Sequence, residues 1–180
     1  PPPLSTLFPY TTLFRSDMMG AHPNLREDLL EFRRMLEGQA AEWAAERATE
    51  ADQARLDQAF AQLSAAFDAD DLEGRSTADI AFHQAIGEAS HNALIGHLSA
   101  ALLRLMDDHI RLNLGELKNI PAAASLLKTQ HEAIHSAIRD GKPLAARAAA
   151  ETHIDFVRET LAQSLRSVAR RESAARRLSN

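Results

Sequence analysis

The sequence contains no cysteine, which removes disulfides, thiolate metal sites and cysteine nucleophiles from consideration. Aromatic residues make up only 5% of its 180 residues, and glycine and proline number seven each, three of the prolines standing at the extreme N-terminus. With so few breakers, few β-branched runs and an excess of alanine and leucine, the composition favours helix almost throughout and leads to an all-α domain. Long hydrophobic runs are missing as well. No stretch approaches the roughly 18 consecutive apolar residues of a membrane span, and no N-terminal segment has the basic, apolar, small-residue order of a secretory signal. A cytoplasmic location without a membrane partner is therefore expected. Positive charge is in the minority: the net charge of −5 argues against this chain being a nucleic-acid platform by itself. Neither a glycine-flanked serine elbow nor a glycine-rich phosphate loop is present, so no catalytic residue of those kinds can be assigned.

What is present is 45% hydrophobic and 25% charged, enough for one domain with a real core. Residues 1–16 stand apart. Thr6 to Ser16, TLFPYTTLFRS, resembles the in-frame translation of a common short-read sequencing adapter, and residues 1–16 are expected to be a non-native, disordered leader rather than a natural one. Residues 17–26 read as a linker remnant, with Gly20 and Pro23 as breakers and Asn24 able to cap a helix beginning at Leu25. Residues 27–171 form the domain and 172–180 a basic tail. Within the domain the apolar spacing predicts six helices with short connections, hence an antiparallel bundle. Helix one carries Leu25, Leu29, Phe32, Leu36, Ala40 and Trp43 on one face, helix two Leu56, Phe60, Leu63 and Phe67, and helix four Leu94, Leu98, Ala101, Leu105, His109 and Leu112. Pro121 and Pro143 suit the first position of the last two helices, separated by an Asp140-Gly141-Lys142 break.

Four ionisable groups lie on or beside stripes that should face the core, where such groups are costly unless something satisfies them. Asp79 and His83 are one helical turn apart and share a face with Phe82 and Ile86. His131 is flanked by Leu127, Ile134 and Ile138, and His153 borders the stripe Ala150, Ile154, Val157 and Leu161. A carboxylate and three imidazoles from three helices suit a divalent first-row ion, zinc foremost, with nickel, manganese or iron also accommodated. A single buried histidine is more often a hydrogen-bonded core residue than a ligand, and it is the four groups together, from three helices, that point to a metal. Asp79 has a competing duty, since Ser76 and Asp79 show capping-box spacing that would place Asp79 in the first turn of its helix.

Arg33 falls inside the apolar arc of helix one, where a guanidinium wants an anion: a ligand carboxylate or phosphate, or an internal acid such as Glu37 or Asp79. His109 reads as a core or subunit-interface residue, and His22, His91, His97 and His135 as mostly solvated. Two Glu-x-x-His strings, Glu88 to His91 and Glu132 to His135, invite a di-iron bundle, but Glu132 lies roughly 130° from the core direction of its helix and His91 falls at a helix junction.

Three strings, DLLEFRRMLEGQAAEWAAERAT, DIAFHQAIGEASHN and QHEAIHSAIRDGKPLAARAAAETH, resemble the FCD domain, the effector-binding and dimerisation half of the FadR branch of GntR-type transcriptional regulators. The resemblance implies an antiparallel all-α bundle that forms a homodimer and senses a small organic or sugar acid, its carboxylate meeting a divalent metal held by one aspartate and three histidines. Those positions are Asp79, His83, His131 and His153, and the resemblance adds Arg33 and Asn92 as effector-binding residues. DNA would be reached only through an N-terminal winged helix-turn-helix that this sequence lacks. Two other classes remain at this point: a metal-dependent hydrolase of helical-bundle type, which would need a general base beside the ion, and a purely structural helical dimerisation module.

Overall fold

In a computed structural model the backbone is described for residues 25–69, 71–117 and 121–178, and side chains over the same ranges except 25–26, 107–117, 121–122, 164–165, 167–169, 171–175 and 178. The leader, most of the linker and the side chain of His109 lie outside the described residues. Six helices follow one another: α1 (Leu25–Arg47), α2 (Glu50–Asp68), α3 (Leu72–Ala89), α4 (Ala93–Leu117), α5 (Pro121–Arg139) and α6 (Pro143–Leu178). No strand occurs among the described residues, and none of their helices is long and apolar enough to cross a membrane. The most extensive packing joins α1 to α6, followed by α2 with α3, α3 with α4, and α5 with α6. α3 is thereby enclosed by α1, α2 and α4, and it carries Asp79 and His83.

The corners follow from local chemistry. Thr49 caps α2 in a reciprocal capping box: the Asp52 N–H donates to the Thr49 hydroxyl, and the Asp52 carboxylate accepts from the Thr49 N–H at 2.9 Å. The Asp71 side chain caps α3 by accepting from the Gly74 N–H at 3.0 Å. That start corrects the expected capping role of Ser76 and Asp79. Asp79 sits two turns inside α3, so its carboxylate has no cap to serve. At the end of α5, Gly141 takes φ +61, with the Gly141 N–H donating to the Ile138 carbonyl and the Lys142 N–H to that of Ala137. This is the six-to-one, five-to-two closure that glycine allows without steric cost. α6 runs seven residues past the expected end near Arg171.

One expected face is turned, that of α4, and one residue of the α1 face. On α1 the buried line is Leu30, Arg33, Leu36, Glu37, Ala40, Ala41 and Ala44, with Leu29 and Trp43 packed at its edge, so of the expected face only Phe32, 39% exposed, turns outward among the described side chains. On α4 the buried residues are Ile95, Ser99, Leu102, Leu103 and Met106, so Leu94 and Leu98 point outward. The reason is the close approach of α3 and α4 at Gly87, where an added Cβ would stand 3.2 Å from the Ser99 Cβ. Small residues at that crossing bring the Gly96 and Ser99 side of α4 inward, against the larger apolar residues on which the sequence pattern relied. Elsewhere the core is Leu56, Leu63, Phe82, Ile86, Leu127, Ile134, Ile138 and Ile154, as the helical spacing indicated.

Candidate metal centre

Asp79 and His83 on α3, His131 on α5 and His153 on α6 are all buried, and one ligand-capable atom from each lies within 4.8 Å of the other three. His131 Nε2 stands 3.0 Å from Asp79 Oδ1 and 3.3 Å from His83 Nε2, and His83 Nε2 is 3.9 Å from Asp79 Oδ1. The i, i+4 step on α3 aims the first two groups the same way. The packing of α5 and α6 brings the other two imidazoles against them, with ring centroids 4.4 Å apart for His131 and His153 and 5.2 Å for His83 and His153.

The outer nitrogen of each ring has its own acceptor. His131 Nδ1 lies 2.9 Å from the Leu127 carbonyl, His83 Nδ1 lies 2.7 Å from Glu37 Oε2, and His153 Nδ1 lies 3.3 Å from Gln130 Oε1. A carbonyl oxygen cannot donate, so the Leu127 contact places the proton on Nδ1 of His131, while His83 Nδ1 meets Glu37 Oε2 as an ion-pair contact that favours the same tautomer. In the neutral rings Nε2 is then a bare lone pair. The two Nε2 atoms and Asp79 Oδ1 converge at 3.0 to 3.9 Å in a buried space, where a proton or a metal ion would satisfy them. Ligand bonds of about 2.0–2.1 Å at tetrahedral or octahedral angles subtend edges of about 3.0–3.5 Å. The donor set fits a divalent ion in chemistry, and the 3.0 and 3.3 Å separations fall in that range while the 3.9 Å one is wider.

The electrostatics agree. Burial alone would raise the Asp79 carboxyl, but the His131 contact and the charges of His83, His131 and Arg33 outweigh it and hold the group down at about 2. Glu37 is also held at about 2, burial being outweighed by the charge of Arg33 and by His83. His153 moves well below the ordinary imidazole value because burial and the neighbouring His131, His83 and Arg33 all disfavour its charged form. It is thus poised as a neutral ligand. Phe82, fully buried, sets its edge against His131 at a centroid distance of 5.7 Å and closes the site from the core side.

Arg33 is brought to the site, yet the internal partner foreseen for it is realised: its Nε donates to Glu37 Oε1. Its Nη2 is buried without a hydrogen-bond partner, so one donor of the guanidinium remains unused. Asn92 is not brought to the four groups. Its Oδ1 caps α4 by accepting from the Leu94 and Ile95 N–H groups at 3.0 and 3.1 Å, and it lines a separate cleft of about 500 Å³ with Gln84, Glu88, His91, Gly96 and His97. Glu88 and Glu132 are exposed, which leaves the di-iron geometry without its carboxylates.

Two residues escaped the sequence reading. Glu37 was visible only as a salt-bridge partner for Arg33, and its contact with His83 depends on how α1 crosses α3. His135, expected to be solvated, is buried: it stacks on Phe60 at 4.5 Å and meets Asp57 Oδ1 at 2.7 Å, because α2 covers that side of α5. The stripe Leu127, His131, Ile134 and Ile138 has a neighbouring arc that includes His135, and a bundle with helices on two sides of α5 buries both.

Comparison with known proteins gives one family. Residues 28–156 match the FCD domain. The chain is 35% identical to the HTH-type transcriptional regulator LutR of Bacillus subtilis (strain 168), over 75% of this chain and 61% of that protein. It is 34% identical to the galactonate operon transcriptional repressor of Escherichia coli (strain K12), over 73% of this chain and 56% of that protein. Among solved structures it resembles Streptococcus agalactiae GntR, with a TM-score of 0.62 and 28% identity over 77% of this chain and 60% of that one. The chain thus spans little more than half the length of the curated relatives it matches, and those relatives are transcriptional regulators, not enzymes. With the matching segment spanning most of the six-helix bundle, the chain belongs to the FCD domain family and is homologous to GntR-type transcriptional regulators.

Proposed function

We propose that this domain is the effector-binding and dimerisation part of a cytoplasmic, metabolite-responsive regulator of the FadR branch, and that it senses a small organic or sugar acid through a divalent metal, zinc foremost. The observation that carries the reading is the convergence of Asp79 Oδ1 with three buried imidazoles whose outer nitrogens are already engaged. Asp79, His83, His131 and His153 would hold the ion. When bound, the metal supplies positive charge and open coordination positions for a ligand carboxylate.

The chain's own residues do the rest. The three Nδ1 acceptors hold each ring in its ligating orientation. Arg33, with Nη2 unpaired and Nε held by Glu37, is placed to donate to an acidic ligand without swinging away. Asn92, whose Oδ1 caps α4 and which lines a separate cleft, is given no part in holding the ligand at the four groups. The homodimer would use the outward leucines of α4, Leu94 and Leu98, which are 68% and 39% exposed. Effector binding would shift helix packing at that interface, and DNA would be contacted by an N-terminal winged helix-turn-helix outside this sequence.

The hydrolase alternative needs a free general base beside the ion. Glu37, the buried acid next to the site, is occupied by Arg33 and His83, so the geometry favours sensing. The test is elemental analysis of protein purified without a nickel column, followed by thermal-shift screening of hydroxy and sugar acids. A ligand at 100 times its Kd should stabilise the metal-loaded chain by about 2.7 kcal/mol. An Arg33→Met variant should lose that response. A chain that holds no metal and responds to no acid would refute the reading.

A further inference from the structure

Glu37 is a buried carboxylate outside the four-group cluster, and it bridges two residues of the site. Its Oε2 lies 2.7 Å from His83 Nδ1, while its Oε1 accepts from Arg33 Nε. Arg33, Glu37 and His83 are 1%, 5% and 3% exposed, so the line of charge from α1 to α3 is dry throughout. The other two imidazoles lean on neutral acceptors, the Leu127 carbonyl and the Gln130 amide. Of the three Nδ1 atoms, that of His83 is the one that meets a carboxylate among the described contacts. At 2.7 Å in a dry setting the contact acts as an ion pair, with Oε2 lying outside hydrogen-bonding geometry.

We propose that Glu37 is a positioning residue for the metal: it keeps the His83 proton on Nδ1, holds Nε2 toward the ion and strengthens that nitrogen as a donor, with Arg33 fixing the plane of the carboxylate. This rests on the metal reading of the preceding subsection. Carboxylate–histidine–metal arrays elsewhere show the size of the effect, since losing the outer carboxylate typically costs about 10–100-fold in metal affinity. Arg33 thereby has two roles that oppose each other. A ligand acid that draws on Nη2 shares the guanidinium with Glu37, so effector and metal are coupled through one side chain.

The test is zinc affinity of the full 180-residue chain, measured by competition with a chromogenic chelator, for the wild type and Glu37→Gln. Zinc should bind about 10–100-fold more weakly to Glu37→Gln while far-UV circular dichroism stays unchanged. The visible spectrum of the cobalt(II) form should shift as the His83 donor weakens. A purely structural Glu37 would instead lower the melting temperature of the metal-free chain and leave zinc affinity and the cobalt spectrum as they were, which overturns the proposal. Should Glu37→Gln fail to fold because Arg33 is left with a neutral partner, the Arg33→Met, Glu37→Gln double variant removes both charges and carries the same expectation. Absence of zinc binding by the wild type would refute the metal reading itself. Equal binding by wild type and variant refutes only the role of Glu37.

Discussion

At the scale of single residues, the site is governed by proton positions. Asp79 and Glu37, both held at about 2, contribute stability that is fully present above their unfolded values of 3.8 and 4.5 and is lost as pH falls toward about 2. His153 has the opposite charge type but the same sign of effect. Its native value is depressed, so the unfolded chain takes up a proton first and stability declines as pH drops below 6.5. The melting temperature of the metal-free chain should therefore fall in two stages, one starting near pH 6.5 and a second below about 4.5. A flat profile from pH 7.5 to 5 would mean that His153 charges inside the fold. Zinc loading should steepen the first stage, because a ligating imidazole nitrogen must be unprotonated. Phe82, fully buried against His131 and Phe60, supplies a mechanical test. Phe82→Ala should cost about 3–5 kcal/mol in chemical denaturation, and a loss below 1 kcal/mol would show that the wall beside the site is not packed as described.

Among the helices, the corners carry more information than the helix lengths. His91 occupies the left-handed position at the end of α3, φ 51, where a glycine would be cheaper, and its Nε2 meets Asp52 Oδ2 at 2.7 Å. Asp52 thus closes the α2 capping box and ties the α1–α2 corner to the α3–α4 corner with one carboxylate. Asp52→Ala is expected to destabilise the chain by about 1–2 kcal/mol, read from the urea midpoint at constant slope. No change in midpoint would show the corner to be decorative. Helix phases were legible in the sequence for α2, α3 and α5, where large apolar residues mark one face. They failed on α4, where Gly96 and Ser99 face the α3 crossing and Leu94 and Leu98 do not. A pattern that weights size cannot see a crossing chosen for smallness. The four clustered groups were legible because Asp79 and His83 repeat at one turn and His131 sits among aliphatic residues. Glu37 was hidden because its importance depends on the crossing of α1 over α3, not on its own helix.

For the whole molecule, the long α1–α6 pairing makes a frame around the site. Arg34 reaches Asp155 and Glu151 at 2.9 and 3.0 Å, and Arg147 joins Glu42 and Glu151 at 2.9 and 3.0 Å, a half-exposed charge ladder along that seam. Its worth is modest in water, about 0–1 kcal/mol per pair, so it sets register more than stability. α3 and α5 hold three of the four groups inside this frame, and any ligand that repositions them must press on α1 and α6. The exposed α4 leucines then offer the outward route. If the proposed homodimer uses this face, Leu98→Glu should shift sedimentation toward monomer while leaving zinc affinity and helicity intact. A dimer that survives this change would place the interface elsewhere.

The central claim is that one buried ion is gripped by Asp79, His83, His131 and His153. X-ray absorption on the zinc-loaded chain tests it most directly. The account expects imidazole scattering from three histidines with Zn–N distances of about 2.0–2.1 Å, reduced in His131→Ala. Zinc surrounded only by water and carboxylate oxygen, or a spectrum unchanged by His131→Ala, would contradict it.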